Sequence, residues 1–261
     1  MTVRRDLDAS DAQSVPARYP AAVTTEDIEV NTSGYQHGLD VQVLSAEWDE
    51  DGVYFYQAFN DQIADWAIEN QRFGGPGFNP TRMTWIKPSF AWMLYRAGYG
   101  RKHNQNRILK VKIPHVAVAE LLANCQCRHG GGGSHGRVQW DPARDIMAGE
   151  GRTPRMLLKR RAIQIGLKDS LSKHYVDSVV CIEDVTALAH RVQEAHQAKN
   201  NEASGAAMSE LLPELPVERP YMPQCSHAQL VLLGLLPGET ALAVSQIGRG
   251  KVPPRGAPST S

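Results

Sequence analysis

Between Val53 and Ala198 the apolar residues repeatedly change period, from two to about 3.6 and back. That interleaving is the strongest limit on the fold. Val53–Ala58 is rich in β-formers between Gly52 and Asn60 and predicts a strand. Asn60 then serves as the N-cap of a helix carrying Ile63, Trp66, Ala67 and Asn70 at helical spacing. Met83–Ile86 predicts a second strand, and Pro88 suits the first turn of a helix through Phe90, Trp92, Met93 and Tyr95 to a stop at Gly98. Ile108–Ile113 alternates as a half-buried strand does, with Lys110 and Lys112 outward, and Val116–Asn124 predicts a short helix. Arg137–Trp140 reads as a strand ended by Asp141-Pro142, and Ala162–Ile165 as a strand behind the basic run 155–161. A helix over Asp169–Val176, a strand over Val180–Glu183 and a helix over Val185–Ala198, with Leu188, Val192 and Ala195 on one stripe, complete the pattern. The helices are too few, and the strands too short and too alternating, for a doubly wound parallel sheet. The expectation is an α+β fold, a single mixed-sheet domain with flanking helices and disordered termini.

The chain has 261 residues and 42% hydrophobic content, enough to bury a core. Residues 1–50 show few periodic apolar positions and predict a disordered lead-in. Residues 51–224 form the expected domain, within which 199–210 reads as a linker and Leu211–Pro223 as a proline-punctuated extended segment. Residues 225–261 predict a short helix over Leu230–Leu236 and a flexible tail. Basic and acidic residues balance at 28 each, so attraction to phosphate must come from local clustering. Acids gather before residue 70, with Glu47, Asp49, Glu50 and Asp51 in near succession, and most cations lie between 72 and 173. No hydrophobic leader follows Met1 and no apolar run approaches the roughly twenty residues of a membrane span, so the expected setting is cytoplasmic or nuclear with no membrane partner. Cys125 and Cys127 are one residue apart rather than two, so a zinc knuckle with His129 and His135 across the glycine run 130–133 is not expected, and no metal is assigned. The oligomeric state stays open.

Function is read chiefly from residues 82–101, which hold two tryptophans, two tyrosines and four cations. Stacking aromatics beside cationic donors are the usual means of holding nucleotides and nucleic acids. A nucleophile elbow, a Walker loop, a dinucleotide fingerprint and a paired-histidine metal helix are all lacking. The glycine-rich loop 73–80 either lets a ligand approach the backbone or makes tight turns. Gln57 and Gln164 are odd choices for apolar interior positions, since an unpaired buried amide costs about 1–3 kcal/mol, and they suggest a polar cleft or a surface.

The strings Tyr56–Asn60, Gln71–Gly75, Arg82–Arg96, Val138–Pro142, Arg161–Leu167 and Glu218-Arg219 resemble the uncharacterised family called domain of unknown function 4291, over about residues 52–222. The family label carries no reaction. More distantly, Tyr56-Gln57-Ala58-Phe59-Asn60 on an early strand is similar to the opening motif of ADP-ribosyltransferases, and that likeness implies NAD as substrate. It would place Tyr56 and Asn60 at the nicotinamide ribose with Gln57 as a catalytic-strand residue, although many of those enzymes carry His or Arg there. Arg82, Lys87, Arg161 and Gln164 would meet the phosphates and polar edges, and Trp85 or Tyr95 would stack on a ring. Glu183 or Glu218 would orient the acceptor and stabilise an oxocarbenium-like transition state.

The leading expectation is therefore a nucleotide-binding, NAD-consuming enzyme acting on nucleic acid or protein. The alternative is a non-catalytic RNA- or DNA-binding module with a phosphate track over Arg101, Lys102, Arg107, Lys110 and the run Arg155–Arg161. An interaction domain whose aromatics are simply core is the third reading.

Overall fold

Alternation along Arg107–Pro114 places Leu109, Val111 and Ile113 in one hydrophobic core and Ile108 in a second, so this strand divides the molecule. The computed structural model describes residues 41–127 and 136–235. In chain order the elements are β1 (Ser45–Ala46), β2 (Gly52–Phe59), α1 (Asp61–Asn70), β3 (Thr84–Ile86), α2 (Phe90–Ala97), β4 (Arg107–Pro114), α3 (His115–Ala123) and β5 (Cys125–Cys127). They continue with β6 (Gly136–Glu150), β7 (Thr153–Leu167), α4 (Ser170–Asp177), β8 (Cys181–Asp184), α5 (Thr186–His196), α6 (Asn201–Leu211), β9 (Arg219–Pro220) and α7 (His227–Leu232).

The fold is α+β. Strands β2, β4 and β8 form an antiparallel sheet with β4 central, and β3, β7, β6 and β5 form a second sheet in which only β5 and β6 run parallel. A two-stranded ribbon joins β1 to β9. The two larger sheets meet at a bridge from Tyr56 to Lys87, where the Tyr56 N–H donates to the Lys87 carbonyl at 2.7 Å. Gln71, in a left-handed conformation after α1, holds the short strand β8 with both ends of its amide, which bond the Ile182 N–H and carbonyl at 2.9 and 3.0 Å.

Several expectations need correction. The ordered chain begins before residue 51, because Leu44 and Ala46 are core residues and β1 pairs with β9. Lys110 and Lys112 consequently do not point to open solvent; Glu47 and Asp49 lie over them at 2.8 and 2.9 Å. The supposed linker contains α6, capped by Asn200 and burying Met208 and Leu211 against the second core. The strand begun at Arg137 does not stop at Asp141-Pro142. It continues as β6 to Glu150, since a register shift beside Pro142 accommodates a residue that lacks a ladder N–H. The run 155–161 is correspondingly the outer half of β7.

The last helix spans His227–Leu232, earlier than expected, with Ser226 as its cap. The glycine run with His129 and His135, residues 1–40 and the tail from 236 lie outside the described residues.

Candidate functional site

A cleft of about 690 Å³ opens where the two larger sheets meet. Its floor is Gln57 of β2 and Lys87 just after β3, with 4% and 5% of their surface exposed. Arg82 and Trp85 line the β3 side, Phe78 and Asn79 the loop side, and Met93 and Arg96 of α2 the far side. Gln139 and Gln164, cross-strand partners on β6 and β7, close the end.

Gln57 is held at both ends. Its Nε2 donates to Thr84 Oγ1 at 2.7 Å and the Trp85 carbonyl at 3.4 Å, and its Oε1 accepts from the Tyr175 hydroxyl at 2.8 Å. The amide is tied into the cleft floor, with both of its N–H donors engaged and its oxygen holding Tyr175. Asn60 caps α1 through Oδ1, accepting from Ile63 N–H at 3.0 Å, and keeps its amide donors for the cleft it lines. Trp85 lies so close to β7 that a Cβ on Gly166 would come within 2.8 Å of its ring. Glycine at 166 is what allows the indole to lie there.

Lys87 Nζ donates to the Trp85 carbonyl at 3.0 Å and stands 5.4 Å from the centre of the Trp92 ring. Among the described residues it has no carboxylate ion pair. Burial, helped by the positive charge of Arg96 and opposed by Asp141, brings its amine down to about 7. Asp141 is itself pushed up by burial, against a 2.6 Å hydrogen bond from Gln164 and the pull of Lys87, Arg161 and Arg144. No described residue lining the cleft is acidic, whereas Arg82, Lys87 and Arg96 are cations.

Of the residues singled out from sequence, Gln57, Asn60, Arg82, Trp85, Lys87 and Gln164 come together here. The others do not. Tyr56 points to the opposite face of β2, as successive strand residues must, with its ring 5.0 Å from that of Phe90 and its hydroxyl on Glu47 at 3.0 Å. In the β2-β4-β8 ladder Tyr56 lies opposite Lys110 and Lys110 opposite Glu183, so Glu183 shares that other face and a smaller hollow of about 330 Å³. Glu218 accepts from the Phe90 N–H at 2.9 Å at the start of α2, and desolvation raises its carboxyl to about 7. Tyr95 lies under the Arg144 guanidinium, 3.5 Å from its ring centre, in a hollow beside the cleft. Arg161 does not line the cleft; its charge acts on Asp141.

Phe78, Asn79, Gln139 and Asp141 were not foreseen. Gln139 and Asp141 become visible only from the hairpin register that sets Gln139 opposite Gln164. The loop glycines mainly serve packing: Gly75 has φ +73°, and a Cβ there would meet the Trp66 ring at 2.6 Å.

The order of these parts along the chain matches one family, described as "Domain of unknown function (DUF4291)", over residues 43–221. The chain belongs to that family. No curated protein matches it. The DUF4291 region thus takes in β1 to β9, including both walls of the cleft and the early acids that cover Lys110 and Lys112. Within DUF4291 the string Arg82–Arg96 forms one side of the cleft and the strings beginning at Tyr56 and at Arg161 form its floor and end.

Proposed function

We propose that the cleft binds a nucleotide and that the protein is an enzyme acting on it with the Lys87 amine. The observation that carries this reading is a buried lysine, without an acid partner among the described residues, on the floor of a cleft that also presents Arg82 and Arg96. Holding an unpaired ammonium away from water costs several kcal/mol, and an amine poised near neutrality can serve as base or nucleophile. Arg82 and Arg96 supply donors for phosphate oxygens, Trp85 supplies a face for a ring, and Asn60 and the glutamine pair supply polar contacts.

NAD suits such a site because it carries a pyrophosphate between two rings. The acids first expected to assist ADP-ribosyl transfer, Glu183 and Glu218, do not line this cleft, so the chemistry proposed rests on Lys87, with Asp141 as the carboxylate that feels its charge.

Calorimetric titration with AMP, ATP and NAD tests the binding. At least one should bind in the micromolar to low millimolar range. Arg82→Gln should weaken it by about 10-fold, as loss of one charge-assisted contact does. Lys87→Met should leave binding within about threefold and abolish nicotinamide release or phosphate release, whichever the wild type shows. Failure of all three ligands to bind at millimolar concentration would reject the reading.

A further inference from the structure

Arg96 lines two hollows. One is the cleft above; the other, of about 620 Å³, lies between the C-terminal end of α2, the turn bearing Arg101 and Lys102, the tip of the β6–β7 hairpin at Arg152 and Thr153, and the end of α5. No acidic side chain among the described residues lines this second hollow either. Arg101 donates to Gln193 at 3.2 Å, and among the described residues neither Arg101 nor Arg152 has a carboxylate partner. Lys102 Nζ donates to the Arg96 carbonyl at 2.7 Å and so offsets the negative end of α2, which would otherwise repel an anion.

Several cations elsewhere in the molecule have acid partners. Arg107 is paired with Asp65 and Asp184, Lys110 with Glu47, Lys112 with Asp49, and Arg155 with Asp145. In a chain with equal numbers of basic and acidic residues, cations left without acids in two hollows that share a wall make a local field for a polyanion. A single mononucleotide would occupy one hollow and leave the other unused.

We propose that the ligand is a single-stranded nucleic acid, with one base seated against Trp85 and its backbone running past Arg96 to phosphates held by Arg101 and Arg152. The proposal rests on the nucleotide-binding reading of the cleft and extends it to a strand. A duplex is disfavoured because its stacked bases cannot enter a recess whose floor is Gln57 and Lys87.

Fluorescence anisotropy with labelled single strands of about 12 nucleotides, oligouridine RNA and oligothymidine DNA in separate arms, tests it at two salt concentrations. Each strand that binds should do so at least about 10-fold more tightly than the matching mononucleotide, and the arms show whether the strand is RNA, DNA or either. In the double variant Arg101→Gln with Arg152→Gln, strand affinity should fall and the slope of log affinity against log salt should flatten by about 1.4, from about 0.7 per phosphate. Mononucleotide affinity should not change, since neither arginine lines the cleft. A strand that binds no tighter than its mononucleotide, a loss insensitive to salt, a duplex that binds as well, or inorganic polyphosphate of equal charge that competes as well would each overturn the proposal. A strand that binds with the expected salt slope while no mononucleotide binds would refute the cleft reading alone and leave the track standing.

Discussion

Lys87 enters the interior where a carboxylate would ordinarily meet it, and finds a carbonyl, an indole face and a neighbouring guanidinium charge instead. The unfolded chain keeps this amine protonated up to its ordinary 10.5, whereas the native site releases the proton near 7. Between those values unfolding takes up a proton, so stability rises with pH, by up to about 1.4 kcal/mol per unit from this one group. Below 7 both states are charged, and the full cost of the buried ammonium is present. Lys87→Met keeps an unbranched side chain, one atom shorter, and removes that charge. It should therefore raise the unfolding free energy at pH 6 by about 1–4 kcal/mol, with the gain shrinking steadily toward pH 10. Denaturant unfolding of both proteins across that range checks it; a difference that does not vary with pH would mean that the amine is charged or solvated throughout. Gln57, its neighbour on the floor, has the opposite character. Its amide is tied to Thr84, Trp85 and Tyr175, which joins β2, β3 and α4 at the cleft floor.

Among elements, the wall formed by 73–80 depends on how Trp66 of α1 is received. The indole rests on Gly74 and Gly75 with the Arg72 guanidinium 5.6 Å from its ring centre. Gly75→Ala would force a side chain into positive φ and against that ring, so the expected cost is about 1–3 kcal/mol in thermal or denaturant unfolding. Phe78 and Asn79 should lose their fixed places on the cleft rim, and nucleotide affinity should fall with them. Trp66→Ala introduced alongside should recover part of the loss from Gly75→Ala, because the clash goes; full additivity would show that the two do not touch.

Elements with a strong period or cap could be read directly from the chain: β2, α1 and β4 follow from Asn60 and the Lys-alternating run, and α2 from its apolar spacing and the stop at Gly98, although its N-cap is Ser89 and Pro88 lies outside its first turn. The long hairpin could not. Its outer half mixes exposed Met147, Met156 and Leu158 with arginines and a lysine in no clean alternation, and Pro142 mimics a strand end. α6 was hidden because Asn-Glu-Ala-Ser-Gly-Ala-Ala resembles a linker, and only Met208 and Leu211 supply an apolar stripe. Six residues of the site were legible because cations and amides interrupt apolar strands. Glu183 failed on strand parity, since it shares the face of Tyr56 and not that of Gln57, and Glu218 failed because it bonds the first turn of α2 instead.

For the whole molecule, charge is partitioned by folding. Acids that cluster before residue 52 in the sequence cover Lys110 and Lys112, and α1 and β8 send Asp65 and Asp184 to Arg107. A chain begun at residue 52 would lose Leu44 and Ala46 from the core and leave the Tyr56 hydroxyl and the Lys110 amine without Glu47. Loss of the Leu44 side chain alone should cost about 2–5 kcal/mol, so the shortened protein should melt well below one begun at residue 41. Equal melting temperatures would show that the segment only rests on the surface.

The hydroxyl of Tyr175 meets an amide 118 positions earlier in the chain, and without that meeting the floor of the cleft has no far anchor. Contacts of such long sequence separation close late, after local hairpins and helices have formed. During synthesis the floor amide therefore has no Tyr175 to hold it until α4 has left the ribosome. A molecule captured by the finished hollow joins segments that must separate early in unfolding, so its presence should lengthen the native lifetime as well as shift the equilibrium.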